Sequence, residues 1–209
     1  ARLYMEIFPK ADDAYVRELI EIGQRDLNAA GITCVHSDDL KVIAGMDPIH
    51  LVGLFREMEA EGKLTVRVYE QCLVDQADFD RFLAVRSDPA DRTSLFRTGP
   101  RKLLQDGSLG AKSAEMIDGY VDDRSNHGIP IYTEEELCAW IKAAHDQHMD
   151  VAVHAIGDLA FQKVCDAIYK AQEANPWPDH RHGIVHAQTT SPALLRLMKG
   201  MGLHAYIQP

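Results

Sequence analysis

The segment Asp150–Asp158, with the sequence Asp-Val-Ala-Val-His-Ala-Ile-Gly-Asp, decides the fold, because a buried-strand pattern ends on a histidine and turns through a glycine into a helical pattern. Side chains alternate along a strand, so Ala152 and His154 share one face while the two valines share the other. The valines are expected to pack under helices. His154 is therefore predicted at the carboxyl end of a strand, where parallel α/β folds place their active sites.

A second segment, Arg181–Gln188, repeats this arrangement one βα unit later and closes on His186 followed by an alanine. Each histidine alone is equally well explained as a side chain satisfied by nearby backbone, since histidines are of intermediate burial and usually find partners. Two histidines at equivalent strand ends favour function instead. The sequence therefore predicts that His154 and His186 lie at one mouth of the fold.

The bulk composition is that of an ordinary globular protein. The 209 residues are fewer than the roughly 250 of a complete (β/α)₈ barrel, and one domain over residues 1–209 is predicted. Hydrophobic residues make up 46% and charged residues 26%, so disorder is not indicated. A formal net charge of −10 argues against a nucleic-acid partner and against a polybasic membrane patch, because both need basic residues to attract phosphate.

The four cysteines lie far apart and form no Cys-x-x-Cys pair, so neither a zinc ribbon nor a disulfide framework is indicated. Reduced thiols predict a cytoplasmic protein. No apolar run approaches the roughly 20 residues that a membrane span needs, and the first residues are not those of a signal peptide. A chain that begins without methionine and ends at Pro209, directly after a strand-like run, is expected to be a piece of something longer.

Strand-like segments alternate with helical segments along the chain. Thr133 and Glu136, for example, form a capping box at the start of one helical pattern. Connections too long for hairpins join six predicted strands, which favours right-handed parallel βαβ units in a barrel or a doubly wound sheet. The predicted helices are 12–30, 47–61, 75–85, 133–148, 158–174 and 191–198, and the predicted strands are 32–36, 64–69, 101–105, 150–154, 181–188 and 202–207.

Lys102 stands on the face of its strand that is expected to point inward, where an unpaired ammonium is costly. One explanation is a buried stem whose charged head reaches water at the strand end. The other is that a second group consumes the charge, and spacing alone leaves both open. The long segment 106–131 that follows is expected to be functional or mobile. Its Gly107–Ser113 part fails as a phosphate loop, because the four-residue gap between glycines and the adjacent Gly-Lys pair are missing.

Four further residues are candidates for supporting roles. His36 ends the first predicted strand as His154 ends its own, and Asp106 follows the strand of the lysine. Asp158 either caps the helix that it begins or orients a ligand. His182 shares a strand face with the later histidine but should lie near the opposite end of that strand, as a packing or supporting residue.

Four motifs in this order and rough spacing resemble the metal-dependent amidohydrolase superfamily, and more closely its branch that contains the N-substituted formamide deformylases. The resemblance spans about residues 31 to 209. The motifs are Lys102–Gly110, His154–Asp158, Arg181–Gln188 and Gln208-Pro209.

The resemblance implies a distorted (β/α)₈ barrel that binds one or two divalent metal ions, usually zinc, at the carboxyl ends of its strands. Lys102 corresponds to a fourth-strand lysine that bridges the metals when carboxylated, and this carbamate would remove the buried positive charge. His154 and His186 correspond to metal ligands of the fifth and sixth strands. The implied reaction is hydrolysis of amide, formamide or cyclic C–N bonds in a small-molecule substrate by a metal-bound hydroxide.

Departures from the family pattern limit these implications. The family's first-strand His-x-His pair and its eighth-strand aspartate, a ligand and proton shuttle, are absent, so the chain corresponds to strands two to seven. Val185 stands where relatives often carry an acidic residue. We therefore expect an α/β fold of the TIM-barrel type, an incomplete barrel of about six parallel strands, with half of the metal shell and little or no hydrolytic activity.

Two other functions stay open from the sequence. A catalytically dead barrel with a binding role would leave Lys102 unmodified, and a lyase or aldolase would use it as a Schiff-base amine. In either case, the open barrel leaves two strand edges unpaired, which predicts a homo-oligomer.

Overall fold

The computed structural model describes residues 10–208, in which six strands alternate with helices. The strands are β1 (Cys34–Ser37), β2 (Arg67–Cys72), β3 (Phe96–Leu104), β4 (Val151–Ala155), β5 (Gly183–His186) and β6 (His204–Tyr206). The helices are α1 (Asp13–Ala29), α2 (Pro48–Ala60), α3 (Phe79–Leu83), α4 (Glu134–His145), α5 (Asp158–Ala174) and α6 (Pro192–Gly200), with a short 3₁₀ turn at Gln76–Asp78.

The chain divides into two compact units, one up to Gly99 and one from Pro100 onward. Strand β3 runs through the boundary and contributes residues to both. The division into two compact units does not test the prediction of one domain over residues 1–209, which stays a prediction. Residues 1–9 and Pro209 lie outside the described residues. The prediction that the first residues are not a signal peptide concerns this part of the chain.

In the first unit, β1 pairs in parallel with β2 and β2 neighbours β3. Helix α2 begins where the Asp47 carboxylate accepts the amide hydrogens of Ile49 and His50, as the sequence pattern predicts. Its inner face packs on the sheet, with the rings of Phe55 and Phe96 stacked at a centroid distance of 4.6 Å. Burial of this aromatic pair anchors the start of β3.

In the second unit, β3, β4, β5 and β6 pair in parallel in that order. Val151 and Val153 are fully buried, as are Phe161 and Ile168 of α5. The capping box of Thr133 and Glu136 is present at the start of α4. The buried valine face of β4 and the apolar face of α5 thus form the core of this unit.

The predicted fold class is confirmed: the alternating order, the parallel pairs and the number of strands are those expected of barrel-type (β/α) units. Three details differ. Strand β3 starts at Phe96 instead of residue 101, because the Glu59 carboxylate binds the amides of Leu95 and Phe96 and the aromatic ring is buried. Strand β2 is displaced to Arg67–Cys72. Tyr169 of α5, which the apolar pattern of the predicted helix 158–174 directs inward, is 51% exposed and its hydroxyl donates to Glu173.

Within residues 10–208, every helix is too short or too polar to cross a lipid bilayer.

Candidate metal centre at the strand ends of the second unit

Strands β3, β4 and β5 carry the three residues that the sequence singled out. Lys102 lies in β3, is 6% exposed, and stands beside Ala152 in the register. His154 is two residues further along β4, and His186 is the last residue of β5. The imidazole rings of the two histidines contact each other edge to face, with centroids 4.5 Å apart and planes at 79°.

The backbone at His186 departs from a regular strand, and this departure creates the contact. His186 is in register with Ala155, so strict alternation would direct its side chain to the face opposite His154. Instead, His186 has φ 76° and Ala187 has φ 46°, which is the left-handed region that non-glycine residues rarely occupy. Such strain is concentrated at functional sites, and here it turns the histidine toward its neighbour.

Lys102 lies close enough to His186 for its charge to act on that ring. Burial lowers the pKa of His186, and the charges of His154 and Lys102 lower it further, against the opposing effect of the hydrogen bond to Gln208 and of Asp106. The lowered pKa favours the neutral imidazole of His186, the form in which a ring nitrogen can bind a metal ion. The structure thus brings the lysine and both histidines to one place.

Hydrogen bonds determine which nitrogen of each ring carries the proton. His154 Nε2 lies 2.9 Å from the carbonyl oxygen of Gly107 and 3.3 Å from Asp106 Oδ1, and both oxygens are acceptors, so Nε2 is the protonated nitrogen. His186 Nδ1 donates to the side-chain oxygen of Gln208 at 2.8 Å. The ring lone pairs are therefore at Nδ1 of His154 and Nε2 of His186.

This donor set fits a divalent metal ion in part. Two neutral imidazoles are common zinc ligands, and their outer nitrogens are already held by oxygen acceptors, as in most metal sites. In the part of the chain that the structure describes, no three His, Cys, Asp or Glu side chains are arranged to hold a metal ion. A third ligand from this set requires Lys102, and only as a carbamate anion, because an ammonium has no lone pair to donate.

The Asp106 carboxylate, fully buried, connects three segments around His154. Its Oδ1 accepts the amide of Ile156 at 3.0 Å, and its Oδ2 accepts those of Gly157 at 2.8 Å and Glu115 at 2.9 Å. Burial by itself raises the pKa of Asp106, but the hydrogen bonds from His154 and these amides outweigh it and leave the pKa below its usual value. The residue is therefore a charged acceptor at neutral pH.

The segment 106–131, expected to be functional or mobile, is held against the site by its own backbone. The Glu115 carbonyl accepts the amides of Leu159 and Ala160 in the first turn of α5, and its carboxylate pairs with Lys163 at 2.5 Å. Gly157 is required at this approach, because a Cβ there would lie 2.0 Å from the Glu115 carbonyl oxygen. Lys112 of the rejected phosphate-loop motif forms an ion pair with Asp122.

Two other predicted supporting residues make contacts of their own. His36 lies in the first unit, 5.1 Å from the ring of Tyr69 between centroids. Asp158 does not cap α5, whose N-cap is Gly157; its carboxylate accepts the amide of Ile117 at 2.9 Å and so fixes the long loop. The supporting roles of these residues stay predictions.

His182 is fully buried near the amino end of its strand, as the sequence suggested. Its Nε2 lies 2.9 Å from Nδ1 of His145, and its Nδ1 accepts the amide of Val151. A His-x-His spacing does occur in the chain, at His180 and His182, but both rings stack here, before β5. This spacing is therefore separate from the candidate metal centre.

Sequence reasoning missed the acceptors that orient the two histidines. Gly107 lies within the motif Lys102–Gly110, directly after Asp106, and this position is a signal in the sequence. Gln208 lies 22 residues from His186, and nothing in the spacing indicates their contact.

Comparison with known proteins gives a consistent family. Residues 1–209 match the sequence profile described as the Amidohydrolase family. The putative amidohydrolase YtcJ of Bacillus subtilis (strain 168) is 32% identical over 99% of this chain, and Protein LONG AFTER FAR-RED 3 of Arabidopsis thaliana is 34% identical over 53% of it. The matched regions are 37% and 19% of those proteins, so the chain spans well under half of the length of each.

Solved structures show the same fold. An uncharacterized metal-dependent hydrolase from Pyrococcus furiosus has a TM-score of 0.74 at 24% identity, covering 93% of this chain and 38% of its own. A second uncharacterized metal-dependent hydrolase, from Pyrococcus horikoshii OT3, has a TM-score of 0.75 at 23% identity, covering 93% and 37%.

Proposed function

The chain belongs to the amidohydrolase family, and on that premise we propose that it is part of a metal-dependent hydrolase that cleaves C–N bonds of the amide or formamide type with a metal-activated water. One observation carries the proposal. The His154 and His186 rings are in contact, each has its outer nitrogen bonded to an oxygen acceptor, and Lys102 lies close enough to His186 for its charge to act on that ring. That is the arrangement of two ligands prepared for one ion.

The chain's own residues supply binding and orientation. His154 would bind through Nδ1 and His186 through Nε2, while Gly107, Asp106 and Gln208 hold the outer nitrogens. A divalent metal bound there, proposed to be zinc, supplies a water of lowered pKa and polarises the substrate carbonyl.

Lys102 is proposed to act as a carbamate. Reaction of its neutral amine with carbon dioxide forms an N–C bond and releases a proton, which converts a cation into an anionic oxygen ligand. Support comes from its 6% exposure and its closeness to His186, since an ammonium there opposes metal binding by charge repulsion.

The substrate proposed is a small amide or formamide, with the formamide deformylase branch as the finer assignment. We also propose that the 209-residue chain by itself has little hydrolytic activity, because the first-strand His-x-His pair and the eighth-strand aspartate of the family are not among its residues. The cysteines at 34, 72, 138 and 165 are free thiols, which supports the cytoplasm as the place of action.

The test is metal binding by the purified chain, with Co²⁺ as the probe and bicarbonate present. We expect one ion per chain and a d–d absorption band in the visible range. His154→Ala and His186→Ala should each weaken Co²⁺ binding at least tenfold, and Lys102→Arg should abolish the dependence on bicarbonate. His127→Ala, which removes an exposed ring bonded to the Met116 carbonyl, is the matched control and should bind as the wild type does.

Three outcomes would overturn the proposal. Absence of Co²⁺ binding by the wild-type chain would favour a module without a metal centre. Unchanged binding in both histidine variants would place the ion elsewhere. Reductive trapping of Lys102 by borohydride with a carbonyl compound, insensitive to chelator, would favour the Schiff-base reaction instead.

A further inference from the structure

The Asp106 carboxylate joins separate segments of the chain through hydrogen bonds. Its two carboxylate oxygens accept three backbone amides, from Glu115, Ile156 and Gly157, and one of them also lies 3.3 Å from His154 Nε2. The side chain is fully buried. A single anion therefore connects the end of β3, the β4–α5 turn and the loop at the point where His154 emerges.

We infer that Asp106 is a positioning residue: together with the Gly107 carbonyl it holds the proton of His154 on Nε2, so that the lone pair on Nδ1 stays available to bind an ion. This inference rests on the proposed metal function for its consequence, but not for its geometry. An imidazole without such a partner exchanges between two neutral tautomers, and only one of them presents the lone pair to the site.

The three amide bonds explain why the carboxylate cannot be replaced by its amide. An asparagine has one acceptor oxygen, and in either orientation its NH₂ group would face at least one backbone N–H that now donates to Asp106. Asp106→Asn therefore keeps the volume but loses a bond and the negative charge that attracts the Nε2 proton. Glu115 cannot substitute, because its carboxylate is paired with Lys163.

The first measurement needs no variant and no metal. In the metal-free chain labelled with ¹⁵N, the two-bond ¹H–¹⁵N correlations of His154 should show the Nε2-protonated tautomer. His127 provides an exposed reference ring in the same spectrum. Finding His154 mainly in the Nδ1-protonated form would overturn the inference, whatever the chain does with metal ions.

The second measurement compares Asp106→Asn with Val164→Ala. Val164 is fully buried in α5, so its truncation lowers stability by opening a cavity in the core without removing a hydrogen bond from His154. Asp106→Asn should mix the His154 tautomers and weaken Co²⁺ binding about 10- to 100-fold, the usual effect of losing a partner of a metal-binding histidine. Val164→Ala should leave both readouts within about twofold of the wild type, although its melting temperature falls.

The outcomes separate this inference from the proposed function. If the wild type binds no Co²⁺ but shows the Nε2-protonated tautomer, and Asp106→Asn loses it, the positioning role stands and the metal function fails. If Asp106→Asn keeps the tautomer and the affinity, or if Val164→Ala loses both as strongly, the role of Asp106 is structural only and the inference is wrong.

Discussion

Acidification should open the amino end of β5, because two buried histidines there are joined in a chain of hydrogen bonds that requires both to be neutral. The Val151 amide donates to Nδ1 of His182, which leaves the proton of His182 on Nε2 to donate to Nδ1 of His145. Nε2 of His145 in turn donates to the carbonyl of Asn175 at 2.6 Å. A second proton on either ring would set two N–H groups against each other.

The magnitude follows from the pKa of His182, which burial, then the neighbouring His180 and His145, lower from 6.5 to about 3. A histidine whose pKa is lowered in the folded state contributes stability that is present above the unfolded value of 6.5 and is lost as the pH falls below it. Relative to pH 8, the loss at pH 5 is about 2 kcal/mol.

The surrounding groups do not cancel this effect. Asp150 lies 3.6 Å from His182 Nδ1, but that nitrogen is occupied by an amide and Asp150 Oδ1 already accepts the amide of Arg181. From the helical side, Asp146 near His145 forms an ion pair with Lys142. His204, from the β6 side, adds positive charge near Asp150 and His180 when protonated.

The assay compares wild type with His182→Gln by hydrogen exchange of the Val151 amide and by urea unfolding, at pH 8 and at pH 5. The wild type should lose about 2 kcal/mol more than the variant over this interval, and protection of Val151 should fall with it. His50→Gln is the control of opposite sign, because a hydrogen bond to Asp13 raises the pKa of the exposed His50. Equal pH dependence in wild type and His182→Gln would refute the reasoning.

Two further predictions concern the first unit and the sheet edges. Burial raises the pKa of Glu70 from 4.5 to about 7, against the hydrogen bond from Ser37. The stability that this group contributes is present below pH 4.5 and is lost as the pH rises through 7. Glu70→Gln should therefore flatten the pH dependence of the urea midpoint between these values, and an unchanged slope would contradict this. We also propose that the chain self-associates through the outer edges of β1 and β6. Sedimentation should show a dimer or a larger species, and Ala205→Pro, which removes an N–H of the β6 edge, should shift it toward monomer. A monomeric wild type would disprove the proposal.

The sequence by itself determined the order of strands and helices and the inward direction of Lys102 and His154. These are local properties: a period of two fixes which face a strand residue occupies, and caps such as Thr133 fix where a helix begins. The apolar pattern also identified the strand of His186, but not its orientation. Neighbouring residues alone determine the order of the elements and the faces of the strands, so these features do not depend on tertiary contacts.

Tertiary structure decided how the site is assembled. The left-handed backbone at His186, which breaks the alternation and brings the ring to His154, has no signal in the residue pattern. The contacts with Gln208 and Gly107 depend on the paths of loops whose ends are set by strand register. A hydrogen bond between residues distant in the chain exists only once the sheet has fixed their positions. Only the fold therefore determines the tautomers of His154 and His186.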